Sequence, residues 1–258
     1  MTRLVAVANQ KGGVGKSTMT ANLAVAWAAR PLERRVLVID LDPQCNLSEM
    51  FGRFPEDAPA TIDEVLTGDA VMADAIVPEV APGVSLVQAS PGLAGLAQRL
   101  VVEVGSEGFL TRALADAVGE FDVVLVDCPP ELGQLTTNAL FACSEVVVPV
   151  AMTDKNSCNG AVDLMDTLAV YGQRGASSAV TALVRSHVKP WENTYKTLNE
   201  DLLELDVPLA ATEIPATVEF SKASIKRRPL TQSRPGQKGA VAYFKLADEL
   251  DATVGAAA

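Results

Sequence analysis

The stretch Lys11-Gly12-Gly13-Val14-Gly15-Lys16-Ser17-Thr18 constrains this chain more than any other. The apolar run Leu4-Val5-Ala6-Val7-Ala8 leads into it, and Met19 to Trp27 continue as a helical stretch. Strand, glycine loop and helix in that order fit the phosphate-binding pattern G-x-x-x-x-G-K-[ST], with Gly15, Lys16 and Ser17 in its last three places. The first place falls on Gln10, so the usual leading glycine is missing, and Lys11 follows it. Gly12, Gly13 and Gly15 let the backbone bend until its N–H groups converge on phosphate oxygens. The helix starting near Lys16 adds the positive end of its dipole. The spacing predicts Lys16 along the β- and γ-phosphates and the Ser17 hydroxyl on Mg²⁺. Lys11 cannot easily reach its own γ-phosphate, because the loop fills that space. It could reach a nucleotide held by a second subunit facing it.

Two acidic strand ends support this reading. Val36-Leu37-Val38-Ile39 is a short apolar run, as in a strand buried on both faces, and it ends in Asp40-Leu41-Asp42-Pro43-Gln44. Phe121 to Val126 is a second such run, closed by Asp127 and Cys128-Pro129-Pro130. Ligands of open α/β sheets sit at the carboxyl ends of strands, so these acids should land beside the glycine loop. Asp127 fits the Walker B carboxylate that holds the hydration shell of Mg²⁺.

Elsewhere strands are expected at 84–88, 145–150, 179–185 and 208–214. Helices are expected at 91–103, 106–119, 157–171, 191–205 and about 239–254. Pro31 with the charges Glu33, Arg34 and Arg35 should end the first helix, and Thr61 with Glu64 reads as a capping box. The alternation predicts an α/β fold with a doubly wound, mostly parallel central sheet flanked by helices. No internal repeat or long linker divides the chain, so one domain over 1–258 is expected.

Hydrophobic residues make up 48% of the chain, enough for a large core, and the net charge of −11 taken alone argues against nucleic acid. Its distribution reverses that. From Ser221 to Gly239 there are six basic residues and no acid: Lys222, Lys226, Arg227, Arg228, Arg234 and Lys238. The remainder holds 15 basic against 32 acidic residues, a net of −17. Such segregation is the electrostatic footprint of a surface for a phosphate backbone. Cys45, Cys128, Cys143 and Cys158 form no C-x-x-C pair, which suggests neither a disulfide framework nor a zinc site and fits a reduced, cytoplasmic setting. No leader or membrane-spanning run is read. His187, Trp27 and Trp191 read as structural residues.

With these residues assembled, the chain resembles the small ParA/Soj-type partition ATPases of the ParA/MinD deviant Walker A family. KGGVGKST, the Asp40–Gln44 segment, FDVVLVDCPPELG at 121–133, Leu135 to Leu140, the VVVPV strand, Ile214-Pro215 and Lys238-Gly239-Ala240 carry the likeness nearly end to end. The resemblance implies ATP and Mg²⁺ as cofactors and a nucleotide-sandwich dimer with Lys11 crossing to the partner's phosphates. It also implies nonspecific binding of double-stranded DNA, a nucleoid location, and slow hydrolysis stimulated by a ParB-type centromere-binding protein. It casts Asp42 as the residue that orients the attacking water. Asp40 would lie near Mg²⁺, Lys11 to Thr18 would bind nucleotide, and Pro215 would line the adenine. No N-terminal helix-turn-helix domain, such as longer relatives carry, is expected, because too few residues precede the first strand. Cys45 stands where the family often has Gly, and Ala216 where it often has Arg. A MinD-like membrane-cycling ATPase shares the loop, but the acidic end near Asp248 to Asp251 argues against lipid binding. An iron–sulfur reductase would need cysteines placed differently, and a P-loop synthetase an acceptor pocket.

Overall fold

The computed structural model describes residues 2–29, 34–115 and 117–257, with side chains to 253. Pro31 and Glu33 lie outside the described residues. Seven strands form one sheet in the order β3-β4-β2-β5-β1-β6-β7. They are β1 (Arg3–Val7), β2 (Val36–Asp40), β3 (Ile76–Ala81), β4 (Val84–Val87), β5 (Val123–Asp127), β6 (Glu145–Ala151) and β7 (Ala179–Ser186). All neighbours pair parallel except β3 and β4, which form an antiparallel hairpin turning at Gly83 (φ 71°). The mostly parallel, doubly wound sheet is as expected.

The helices are α1 (Lys16–Ala28), α2 (Asn46–Met50), α3 (Ile62–Thr67), α4 (Met72–Ala75), α5 (Gly92–Leu100), α6 (Phe109–Leu114), α7 (Gln134–Ala142), α8 (Asn156–Gly172), α9 (Asn193–Leu203), α10 (Val218–Ile225), α11 (Leu230–Ser233) and α12 (Lys238–Ala257). Strands β2 and β5 are buried at every residue, because helices cover both faces of the sheet. One apolar layer gathers Leu37, Ile39, Val124 and Val126 with α3, α5 and α7, and the other gathers Val36, Val38 and Leu125 with α1 and α12. Alternating residues of one strand thus feed opposite layers. Helix α1 lies at the heart of the second layer. Leu23 and Trp27 are fully buried, and the Trp27 indole N–H reaches Asp251 at 3.1 Å. Trimming Leu23 to Ala should cost about 2–5 kcal/mol.

Four expectations change. Residues 208–214 form no strand. They run beside the outer edge of β7 through separate backbone hydrogen bonds, Leu183 with Pro208 and Ala210 and Arg185 with Ile214, and form one isolated bridge to it, Leu183 with Leu209. Pro208 and Pro215 have no N–H to extend a ladder. Strand β3, which the pattern did not suggest, lies at the sheet edge. It is half exposed and contains Pro78, which such strands tolerate. The helices expected at 91–103 and 106–119 shrink to α5 and α6, flanked by short 3₁₀ turns and by the exposed Val101, Val102 and Val104. Trp191, taken for a packing residue, is 76% exposed. The capping box at Thr61 and Glu64 forms as read, with the Thr61 N–H 2.7 Å from the Glu64 carboxylate. All four cysteines are free and buried.

Candidate nucleotide site

Strand β1 ends at the centre of the sheet, and the chain must turn sharply there to enter α1. Gly13 (φ 77°) and Gly15 (φ 94°) make that turn in the left-handed region, where a side chain would be strained. Gly15 caps α1 without a side-chain hydrogen bond, and no acidic residue sits in the first turn. The first N–H groups of α1 are therefore left for an anion.

A cavity of about 660 Å³ opens over this turn. Gly12, Gly13, Gly15, Lys16, Ser17 and Thr18 form its floor, Asp42 and Gln44 one wall, and Ser224, Ile225 and Arg227 another. Lys16 folds back into the loop, with its Nζ 3.0 Å from the Lys11 carbonyl and 3.2 Å from that of Asn9. Burial pulls its pKa down, while Asp127, Cys128 and Asp42 pull it up. A buried ammonium held only by carbonyls and distant acids is well placed to meet phosphate oxygens.

Lys11 behaves differently. Its Nζ turns away from the cavity to the Asp154 carboxylate at 3.4 Å, just before α8. The loop is pinned there by Asn9, whose amide donates to Pro149 and Ser157 carbonyls and whose Oδ1 accepts from the Lys11 N–H. Gly160 on α8 makes this approach possible, since a Cβ at that position would sit 2.5 Å from Asn9 Oδ1.

The three aspartates do different things. Asp127 ends β5 beside the start of α1 and is fully buried. Thr20 donates to its Oδ1 at 3.1 Å, but Oδ2 has no partner. Burial and the Asp40 charge hold its carboxyl well above the usual range, against the pull of Ser17 and Lys16. A buried carboxylate with one oxygen free of protein partners, next to Ser17, is a donor set that fits Mg²⁺. Asp40 is already fully engaged. It accepts from the Ser48 N–H and hydroxyl and from the Asp42 N–H, anchoring the Asp40–Gln44 segment onto α2. Burial lifts its pKa to about 6 in spite of those donors. Asp42 is 6% exposed, lines the cavity and accepts from the Gln44 N–H at 2.9 Å. Cys45 begins α2 in the left-handed region (φ 57°), the conformation that a glycine would adopt freely.

Pro215 lines an adjoining cavity of about 470 Å³, which it shares with Gly15, Thr18, His187, Phe220 and Tyr243. His187 lines both cavities. It was read as structural, and its place just past the carboxyl end of β7 was the signal that could have found it.

The basic segment divides. Phe220, Ala223, Leu230 and Ala240 form a small apolar cluster that seats α10 and α11 on α12. Lys226, Arg228 and Lys238 are exposed. Lys222 and Arg234 instead converge on Glu219, at 2.8 and 2.9 Å. Glu219 lies two residues before the stretch that was counted as free of acid. Arg227 bends back in the left-handed region (φ 53°), stacks 4.4 Å from the centre of the Phe54 ring and borders the phosphate cavity.

Sheet order, glycine turn and buried lysine together define a P-loop ATPase fold with a second lysine at the head of its loop. Comparison with known proteins agrees. A family model described as an AAA domain matches residues 2–178. The chain is 30% identical over 254 residues to the sporulation initiation inhibitor protein Soj of Bacillus subtilis, covering 98% of this chain and 99% of Soj. It is 32% identical over 256 residues to the chromosome partitioning protein ParA of Caulobacter vibrioides, covering 96% and 93%. Among solved structures, cobyrinic acid a,c-diamide synthase from Mycobacterium smegmatis with bound ADP and magnesium superposes with a TM-score of 0.84 at 32% identity, covering 100% and 97%. This chain belongs to the ParA/MinD-type family of P-loop partition ATPases.

Proposed function

We propose that this protein is an Mg²⁺–ATP-dependent partition ATPase that closes into a nucleotide-sandwich dimer, binds double-stranded DNA without sequence preference and answers to a ParB-type partner. The observation that carries this reading is the divergent fate of the two loop lysines. Lys16 is folded into its own phosphate cavity, while Lys11 is turned out of it toward Asp154. A lysine so placed serves a neighbour's phosphates more readily than its own.

The loop amides, Lys16 and the partner's Lys11 neutralise charge that spreads over the phosphoryl oxygens. Lys11 then acts as an arginine finger supplied in trans would, which couples hydrolysis to dimerisation. Ser17 and Asp127 would hold Mg²⁺, whose contribution when bound is charge neutralisation on the phosphates. Asp42 orients the attacking water at the open wall of the cavity. Asp40 keeps the segment carrying Asp42 docked on Ser48. Lys226, Arg228 and Lys238 supply the phosphate contacts to DNA, and two copies in a dimer release more counterions than one. That makes DNA affinity depend on ATP and on salt, and places the protein on the nucleoid. Among the described residues no helix is long and apolar enough to cross a membrane.

The test is a nonspecific DNA shift with ADP, ATP and a non-hydrolysable analogue, run beside light scattering. ATP or the analogue should produce a dimer and a shift, and ADP neither. A monomer that turns over ATP at full rate, or a shift indifferent to nucleotide, would sink the reading. The likeness to the M. smegmatis protein favours a second reading, an ATP-dependent amide-forming synthase. ATPase activity stimulated by DNA speaks against it.

A further inference from the structure

His187 is the one histidine of the chain, and its surroundings fix which of its nitrogens carries a proton. The Ser186 hydroxyl has a single hydrogen. It lies 2.8 Å from the Val14 carbonyl, which can only accept. The same hydroxyl oxygen lies 3.2 Å from His187 Nδ1. With the hydroxyl hydrogen committed to Val14, the hydrogen in the second contact must come from the ring. Nδ1 is therefore the N–H of the neutral imidazole, and Nε2 is a bare acceptor. Burial, which lowers the pKa of this ring, favours that neutral form. Among the described residues no protein group bonds Nε2.

The position of the ring is equally specific. Val188, just past β7, donates its N–H to the Ile214 carbonyl at 3.0 Å and accepts from the Ala216 N–H at 3.0 Å, joining the end of β7 to the loop that carries Pro215. His187 itself is held in the left-handed region (φ 53°), a conformation uncommon outside glycine. Its Cε1 lies 3.5 Å from where a Gly15 Cβ would be, so the ring rests on the shoulder of the phosphate loop. It lines both the phosphate cavity and the Pro215 cavity, and thus stands where one opens toward the other. A nucleotide with its phosphates on the loop and its base beside Pro215 passes its sugar across this junction.

We propose that His187 is a nucleoside-recognition residue whose Nε2 accepts a hydrogen bond from a ribose hydroxyl, with Ser186 and Val14 as the pair that position it. This rests on the nucleotide-site reading above and adds to it the part of the ligand that His187 selects. The base amino group is the other donor a nucleotide offers, and the experiment separates the two.

Titration calorimetry of the full chain would compare ADP with its 2′-deoxy, 3′-deoxy and inosine counterparts, for wild type and His187→Ala. Loss of one hydroxyl should weaken wild-type binding about three- to tenfold. His187→Ala should bind ADP at that weaker level and show no further loss with the deoxy analogue. A uniform weakening across all the analogues would make the ring merely structural and overturn the proposal. Erased discrimination against the inosine analogue alone would move the contact to the base and overturn the ribose assignment. Wild type that binds no ADP at all would be a failure of the nucleotide reading itself. The wild-type protein gives a second readout that needs no variant. With one histidine, ¹⁵N imidazole spectra are unambiguous. They should show the Nδ1–H tautomer, with an Nε2 signal that moves on adding ADP and stays put with the deoxy analogue that binds more weakly. An Nε2–H tautomer, or an Nε2 signal unmoved by ADP, would refute it.

Discussion

The phosphate loop and the basic segment at 221–239 are both surfaces for phosphate, yet they are built in opposite ways. In the loop, every residue from Gly12 to Thr18 sits on one unbroken strand–turn–helix, so sequence spacing alone sets the geometry. Lys16 is buried, and its partners are backbone carbonyls of the same loop. In the basic segment, the charges are exposed and spread over α10, the turn after it, the end of α11 and the start of α12. Their effective number is decided by an acid just outside the stretch, Glu219, and by an aromatic ring far away in sequence, Phe54. A motif held by local backbone keeps its meaning on folding. A charge cluster keeps only what its three-dimensional neighbours leave free.

The sharpest way to break this contrast is within the loop. Lys11→Ala should leave ATP binding largely intact and lower hydrolysis by about three orders of magnitude, as loss of an arginine finger does. Binding by a fluorescent nucleotide and turnover by phosphate release would separate the two effects, and wild-type turnover in the variant would end the trans-lysine idea.

Asp127→Asn probes the buried acid. The folded pKa of Asp127 lies above its unfolded value near ~3.9, so its stabilising contribution is present below that pH and is lost as pH rises through the folded value. Without nucleotide and with chelator, the amide variant should therefore melt higher than wild type, and the gap should widen as pH rises from about 4. The same variant should lose the extra stabilisation that Mg²⁺–nucleotide gives wild type. A variant that melts lower at neutral pH would show that the orphan oxygen costs nothing.

On the basic segment, removing a free charge and a paired one should differ. Arg228→Ala or Lys226→Ala should weaken DNA binding at every sequence and reduce the slope of log affinity against log salt by about one. Lys222→Ala or Arg234→Ala should do clearly less, because Glu219 already offsets those charges. Equal slopes for the two sets would erase the distinction. The smallest effect expected is a gain. Glu219→Gln should free two cations and tighten DNA binding a few-fold, by the modest worth of exposed pairs.

Much of the architecture was legible from residues. Buried parallel strands read as unbroken apolar runs, so β1, β2, β5 and β6 fell where Leu4, Val36, Val123 and Val146 announced them. Of the two edge strands, β7 was read at 179–185 and β3 was not. Strand β3 has a proline and half-exposed residues, and the 208–214 stretch is apolar enough to look like a strand although its hydrogen bonds to β7 never join into a continuous ladder. Side-chain fates were harder still. Trp191 carries the same indole as Trp27, yet one is exposed and the other lies under α12. Asp40 and Asp127 end equivalent strands. One is saturated by Ser48 and the Asp42 N–H, and the other is left with an open oxygen.

The chain's own order of residues settled the glycine turn, the lysine after it and the acids that close β2 and β5, because neighbours along a strand and a helix cannot be anywhere else. Folding decided the rest. It turned Lys11 onto Asp154, tied Lys222 and Arg234 to Glu219, and set His187 between two cavities by docking the end of β7 against the loop of Pro215. Apart from Lys222 and Glu219, which are three residues apart on α10, these contacts join residues distant in sequence. Only the close packing of the two layers around the sheet brings their polar atoms within hydrogen-bonding reach.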